Sequence, residues 1–426
     1  MTPLPARGVA LLSAGATLTM LLGATLVTAP PAAADLSTSC TENDDSQPSA
    51  KAGATLKELR IGDAQQWLAS NGKSTAGTGV VVAVVDSGVS TAAPIAQAGP
   101  QVNRATRAGA SYYHGTAVAG IIAGGPDSDG SPIGIAPAAS ILDVKVYDAD
   151  VKEEDTDTEV SSATVSTGLA DVLAAKQAGM NIKVANLSLS VSDTPDLKIL
   201  VNKLWKAGVV VVASSGNRTF AEDDPLADAF STYHAGENAA ESIYPAGYER
   251  AVAVATTADG IPDADPLSYI LQSTAIDVAV PTSGAPSYSL AGTSCLLRTP
   301  ATSWAAAEVS GVLAMLASTF PDDKPAQLVS RLVNTANGRD DVRNPLTGAG
   351  VVQPYEALSR PMSIAADGAY DQTTPVQDQQ QAELPPARTD PLGSTRGDMI
   401  WFGVVGGGIL VLALVLRPVL ARRRMS

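Results

Sequence analysis

The sequence predicts an α/β fold: a mostly parallel central sheet with helices on both faces, joined to one C-terminal transmembrane helix. Three observations carry that expectation. Val-rich runs of strand length alternate with stretches of helical spacing from about residue 79 to 360, the alternation that builds parallel sheets. The first of those runs is apolar throughout, as strands buried on both faces are. Near the end, residues 399–416 (MIWFGVVGGGILVLALVL) carry no charge and approach the ~20 residues that cross a bilayer.

The elements follow in order. Residues 79–85 form the first strand. Residues 117–123 start a helix with His114 at its N-terminal edge, and 141–146 form the next strand. The run DADVKEEDTDTEV at 148–160 is acidic and polar, and reads as an exposed loop. Helical spacing resumes over 160–178. Strands at 184–189 and 208–213 enclose a helix at 197–206, and 218–243 reads as a polar insertion in which His234 is solvated. Open parallel sheets bind ligands at the carboxyl ends of their strands. Asp86 stands at such an end, as does the segment SSGN at 214–217.

Composition narrows the function. With 45% hydrophobic but only 4% aromatic residues, the core must be built from Ala, Val, Leu and Ile. A net charge of −15 argues against nucleic acid as a partner, because phosphate binding needs a basic face. Two histidines exclude a multi-histidine metal site. The acidic loops 148–160 and 222–228 read either as solvated charge runs or as calcium ligands; no other cofactor is expected.

The ends suggest export. Residues 1–34 resemble a signal peptide: Arg7, an apolar stretch over 9–27, then small residues at 32–34 before Asp35. An N-terminal extension follows at 35–75, then the main domain at 76–360. A Pro/Gln-rich disordered linker is expected at 361–398, a transmembrane helix at 399–420 and a basic tail at 421–426. Arg417, Arg422, Arg423 and Arg424 flank the span and favour a cytoplasmic C-terminus, with the large domain outside the cell membrane. In an oxidising compartment the two cysteines, Cys40 and Cys295, favour one disulfide.

Three segments carry the chemistry. They are VVAVVDSGV with Asp86, HGTAVAGIIAG with His114, and ATSWAAAEVSGV with Ser303. A nucleophilic hydroxyl needs a base, and the base needs an orienting carboxylate. Asn217 closes ASSGN after a Val-rich strand, where its side-chain amide can donate to a developing oxyanion. Of the two Thr-Ser candidates, Ser294 is followed by bulky or charged residues and Pro300, which breaks a helix. Ser303 is followed by Trp304-Ala305-Ala306-Ala307-Glu308-Val309-Ser310-Gly311, a mostly small and apolar run with no proline.

These motifs, in the order Asp, His, Ser, resemble those of the subtilisin family of serine proteases (peptidase S8) over roughly 55–360. The resemblance implies a three-layer subtilisin-like fold and an Asp86–His114–Ser303 triad with Asn217 in the oxyanion hole. It implies a substrate pocket lined by Ser188, Leu189, Ser190, Ser214, Ser215 and Gly216. Ser190 stands where the family has Gly, which suggests a tight pocket and a small or medium apolar side chain at the cleaved residue. Ala301 replaces the family Gly before Thr302, and Ala307 the common proline. Signal peptide, retained N-terminal segment, linker and single C-terminal span together resemble mycosins, membrane-anchored proteases associated with type VII secretion. That implies exported proteins as substrates and secretion-complex subunits as partners. The rival readings are a catalytically silent scaffold of that complex and a surface-tethered general protease.

Overall fold

The structure is a computed structural model. It describes Cys40 and residues 53–149, 156–220, 224, 226–257, 265–338, 343–370 and 393–422. The expected signal peptide and residues 423–426 lie outside the described residues.

Seven strands form the main sheet: β1 (Val81–Asp86), β2 (Val102–Asn103), β3 (Ser140–Lys145), β4 (Ile182–Leu187), β5 (Val210–Ser214), β6 (Ala251–Thr257) and β7 (Ile276–Pro281). They run parallel in the order β2-β3-β1-β4-β5-β6-β7. The helices are α1 (Ala54–Glu58), α2 (Ile61–Ser70), α3 (His114–Ala123), α4 (Ser162–Gln177), α5 (Pro195–Lys206), α6 (Ala227–Phe230), α7 (Thr302–Thr319), α8 (Pro325–Asn334), α9 (Pro354–Ser359) and α10 (Gly393–Arg422). A two-stranded antiparallel ribbon joins β8 (Ala285–Tyr288) to β9 (Ser294–Leu297).

Alternation along each strand feeds two cores. Val82 and Val84 of β1, Val210 and Val212 of β5, and Val252 and Val254 of β6 face α3 and α7. Ala83 and Val85, with Val144 and Val211, face α4 and α5. Strand order reverses at β1, which has β3 on one side and β4 on the other. The crevice beyond the ends of β1 and β4 is therefore the topological switch point, where such sheets bind ligands.

Helix α7 is buried along nearly its whole length, which explains its run of Ala, Val and Leu. Glu308 is the exception. Its carboxyl is wholly buried and neither oxygen meets a hydrogen-bond donor. Burial, reinforced by Glu58, pushes its pKa well above the ordinary glutamate value. The buried Thr55 of α1 interacts with it. The N-terminal extension is thus part of the core: Leu56, Leu59, Ile61, Ala64 and Leu68 join the α3–α7 cluster, and Gln65 Nε2 donates to the Ile135 carbonyl.

Cys40 and Cys295 form the expected disulfide, with Cα atoms 5.7 Å apart across 255 residues of sequence. Both cysteines are buried. It ties the extension to β9. A Cys40→Ser/Cys295→Ser double variant should lose up to about 5 kcal/mol of stability by the loop-entropy argument. Chemical denaturation under oxidising conditions reads this as a lowered midpoint, and an unchanged midpoint would contradict it.

Three sequence expectations need correction. Asp148 and Asp157 of the 148–160 run are buried, not exposed: Asp148 pairs with Lys145 at 2.9 Å and Asp157 with Arg107 at 2.8 Å. The 218–243 insertion is more than a polar loop, because it carries the buried Arg218–Glu237 pair at 2.7 Å and the buried Phe230 of α6. His234 is exposed there, as expected. Residues 361–370, read as the start of a linker, instead stay with the main domain. Gln327 Nε2 holds the Ile364 carbonyl at 3.0 Å, and Ile364 bridges to Tyr370.

The second unit contains α10. Its apolar stretch Arg396–Arg417 spans 22 residues, about 33 Å of helix at 1.5 Å per residue. That matches a bilayer's hydrocarbon core, and large apolar side chains such as Trp401, Phe402 and Leu412 are exposed along it.

Candidate active site

Five chain segments converge at the switch point. Asp86 ends β1, so its side chain emerges at the mouth of the crevice with no solvent exposure. His114 is the first residue of α3. The helix approaches the turn after β1 because the next residue is Gly115. A Cβ there would lie 2.6 Å from the Gly88 carbonyl oxygen and 3.2 Å from the Asp86 Cβ. The result is a direct contact: His114 Nδ1 lies 2.8 Å from Asp86 Oδ1 and 3.0 Å from Oδ2. Asp86 Oδ1 also accepts from the Ser87 amide at 2.7 Å and from the Tyr147 hydroxyl at 3.0 Å.

Ser303 is the second residue of α7. The residue after it, Trp304, packs on the His114 ring with centroids 5.0 Å apart, so the helix start stands beside the imidazole. The Ser303 hydroxyl donates to the Ser188 carbonyl at 3.0 Å, and the Ser188 hydroxyl donates back to the Ser303 carbonyl at 2.7 Å. The two serines therefore clasp each other at the end of β4. Behind this clasp, Ser310 Oγ donates to Asn186 Oδ1, and Asn186 Nδ2 donates to Ser188 Oγ, both at 2.9 Å.

Ala301 adopts φ −149° and ψ 145°. That extended backbone suits any residue, so the missing family glycine causes no strain. Ser294 lies away from this helix start. It is a buried residue of β9 whose hydroxyl donates to Asp127 at 2.8 Å.

Asn217 accepts from the Thr302 amide at 2.9 Å and the Thr302 hydroxyl at 3.1 Å, both through Oδ1. Its Nδ2 is thereby turned away from Thr302. The loop is braced by the next residue. Arg218 makes a bidentate pair with Glu237 and donates to the carbonyls of Leu267, Phe230 and Ile270. Burial works against the ionised Glu237, but Arg218 and the Gln272 amide outweigh it and lower its pKa.

The expected pocket residues sit at the ends of two neighbouring strands. Ser188, Leu189 and Ser190 follow β4, while Ser214 ends β5 and Ser215 and Gly216 follow it. The Ser214 hydroxyl links the two segments by donating to the Leu189 carbonyl at 3.2 Å. Gly216 has φ +99°, and a Cβ there would press on Leu271 and Ile243 at 3.0–3.3 Å. Ser190 is exposed at the rim.

Tyr147, Trp304, Ile243 and Leu271 escaped the sequence reading. None carried a usable signal, because each reaches the site through pairing or packing between distant segments.

A second buried carboxyl sits nearby. Asp143 of β3 accepts from the Val89 amide at 3.0 Å and Gln101 Nε2 at 2.7 Å, and its other oxygen has no partner. Burial pushes it up to about 6, although both donors pull the other way. Folded protein then holds this proton up to about pH 6, whereas the unfolded chain releases it near 3.8. Stability falls as pH rises through that window. In Asp143→Asn the stability relative to wild type should rise by up to about 3 kcal/mol between pH 4 and pH 7. Denaturation curves at both pH values test this, and a pH-independent difference would refute it.

On the same flank Lys145 is fully buried and donates to the carbonyls of Arg107 and Gly109 and to Ser111 Oγ. It clamps the loop that leads into His114. Its partner Asp148 would be raised by burial, but Lys145 and the amides of Thr158, Arg107 and Thr106 hold it at about 2.

Residues 77–352 match the model of the subtilase family (peptidase S8). The chain belongs to the subtilase family. Mycosin-1 of Mycobacterium tuberculosis is 30% identical over 384 residues, covering 83% of this chain and 82% of that protein. A crystal structure of MycP1 with its N-terminal propeptide removed matches with TM-score 0.56 and 26% identity, covering 74% of this chain and all of that one. An intact ESX-5 inner membrane complex contains a chain of the same fold, with TM-score 0.55 and 21% identity over 85% of this chain and 90% of that one. This subtilase is a subtilisin-like serine endopeptidase with mycosins among its relatives.

Proposed function

We propose that this subtilase is a membrane-anchored mycosin, a component of a type VII secretion system that cleaves exported proteins through Asp86, His114 and Ser303. The observation that carries the reading is the Asp86–His114 contact at 2.8 Å beside the start of α7. In this reading Asp86 holds the Nδ1–H tautomer, which leaves Nε2 to take the Ser303 proton. Substrate entering between the segments 188–190 and 214–216 displaces Ser188's claim on the Ser303 hydroxyl, and a χ1 rotation turns that hydroxyl toward the base. The alkoxide attacks the peptide carbonyl. Asn217 Nδ2–H, with the Ser303 amide at the helix start, receives the oxyanion. His114 then protonates the leaving amine, and water releases the acyl-enzyme.

The α10 span and its flanking arginines support a single-pass anchor with the catalytic domain outside. The mycosin relatives and the ESX-5 complex support a secretion-complex partner. A fluorophosphonate probe should label the full-length protein in membranes at Ser303, with labelling lost below about pH 6 as the imidazole protonates. No labelling at Ser303 at neutral pH would favour the silent scaffold instead.

A further inference from the structure

We infer that Tyr147 is a positioning residue: its hydroxyl shares Asp86 Oδ1 with His114 and sets how firmly the imidazole holds its proton. The inference rests on the triad reading above.

Strand register places this tyrosine. Lys145 pairs with Asp86 across β3 and β1, and the Val146 amide donates to the Asp86 carbonyl at 2.8 Å. The next residue is carried over the carboxylate. Tyr147 is only 3% exposed, and its ring lies 6.3 Å from that of Tyr112. Its hydroxyl stands 3.0 Å from Asp86 Oδ1 and 3.3 Å from His114 Nδ1.

A buried tyrosine hydroxyl needs some partner, and a purely structural role would be met by any carbonyl. Here the partner is an oxygen that already receives the Ser87 amide and the imidazole. Phenylalanine would fill the same volume, so packing does not require the oxygen.

Two consequences follow. A third donor on Oδ1 fixes the carboxylate plane, and through it the imidazole. It also draws charge from the oxygen that stabilises the imidazolium, which loosens the proton's hold on His114. Other groups bear on the same pair. Asp143 of β3 interacts electrostatically with Asp86. Lys145 of β3 is engaged by Asp148, and the rings of Tyr112, Tyr113 and Trp304 flank His114. None of these is altered by removing one hydroxyl.

The test uses Tyr147→Phe in the full-length protein. The fluorophosphonate labelling rate at Ser303 is measured from pH 5 to 9, alongside thermal unfolding. The rate at pH 7 should fall about fivefold, a fraction of what a general base contributes. The acid limb should move up by about half a pH unit. An acid limb that stays in place, with or without a slower rate or a lower melting temperature, would make Tyr147 merely structural and overturn the proposal. Failure of the wild type to label at Ser303 would overturn the triad reading first, and this proposal with it.

Discussion

Ser303→Ala should lower kcat for peptide hydrolysis by about 10⁶, leaving only what binding and the oxyanion contacts sustain. Ser294→Ala should leave turnover at the wild-type level. The contrast is sharp because both serines follow a threonine, and Gly292-Thr293-Ser294 carries the more familiar triplet. Position decides between them. Ser294 lies in β9 with its hydroxyl committed to Asp127. Ser303 lies at the start of α7, where the helix N-terminus favours a developing negative charge. Trp304, one residue on, touches the His114 ring. Single-turnover assays on the two alanine variants separate them, and full activity in Ser303→Ala would mean that the wrong hydroxyl had been chosen.

Much of this site was legible because its elements are local. The Val-rich run before Asp86, the small residues after His114 and the apolar helix after Ser303 each announce a buried strand or helix end. Switch-point logic then places their ends together. The strands β6 and β7 were not picked out, although their runs of Ala and Val are equally apolar, and neither were β8 and β9. The ribbon is short and its flanks carry turn residues, so no period emerges. Burial of charge was the other blind spot. The acidic run 148–160 looks solvated by composition, yet Asp148 and Asp157 are buried, Asp148 paired with Lys145 just ahead of the run and Asp157 with the distant Arg107. Arg218 and Glu237 hid in the same way inside an apparent polar insertion. Ion pairs between distant residues leave no periodic trace. Tyr147 was missed for a related reason: its role depends on the β1–β3 register, which sequence spacing does not state.

Asp86→Asn should lower kcat by about 10⁴ while leaving the fold intact. The carboxylate oxygens have different neighbours. Oδ1 accepts from the Ser87 amide and the Tyr147 hydroxyl as well as from the imidazole, whereas the only other contact described for Oδ2 is to His114 Nδ1 at 3.0 Å. An asparagine keeps its carbonyl oxygen on the first two donors, which turns its NH₂ toward Nδ1. Two N–H groups cannot face each other, so His114 gives up the Nδ1 proton and carries it on Nε2. That nitrogen is the one that must accept from Ser303. The nucleophile then has no base, although every heavy atom stays near its place. Thermal unfolding should shift little, because burial and packing at residue 86 are preserved. The kcat loss should appear with KM nearly unchanged, since the segments 188–190 and 214–216, expected to line the pocket, belong to other strands. A variant that retained wild-type kcat would show that His114 does not need its Nδ1 proton fixed, and the base would have to be sought outside this pair.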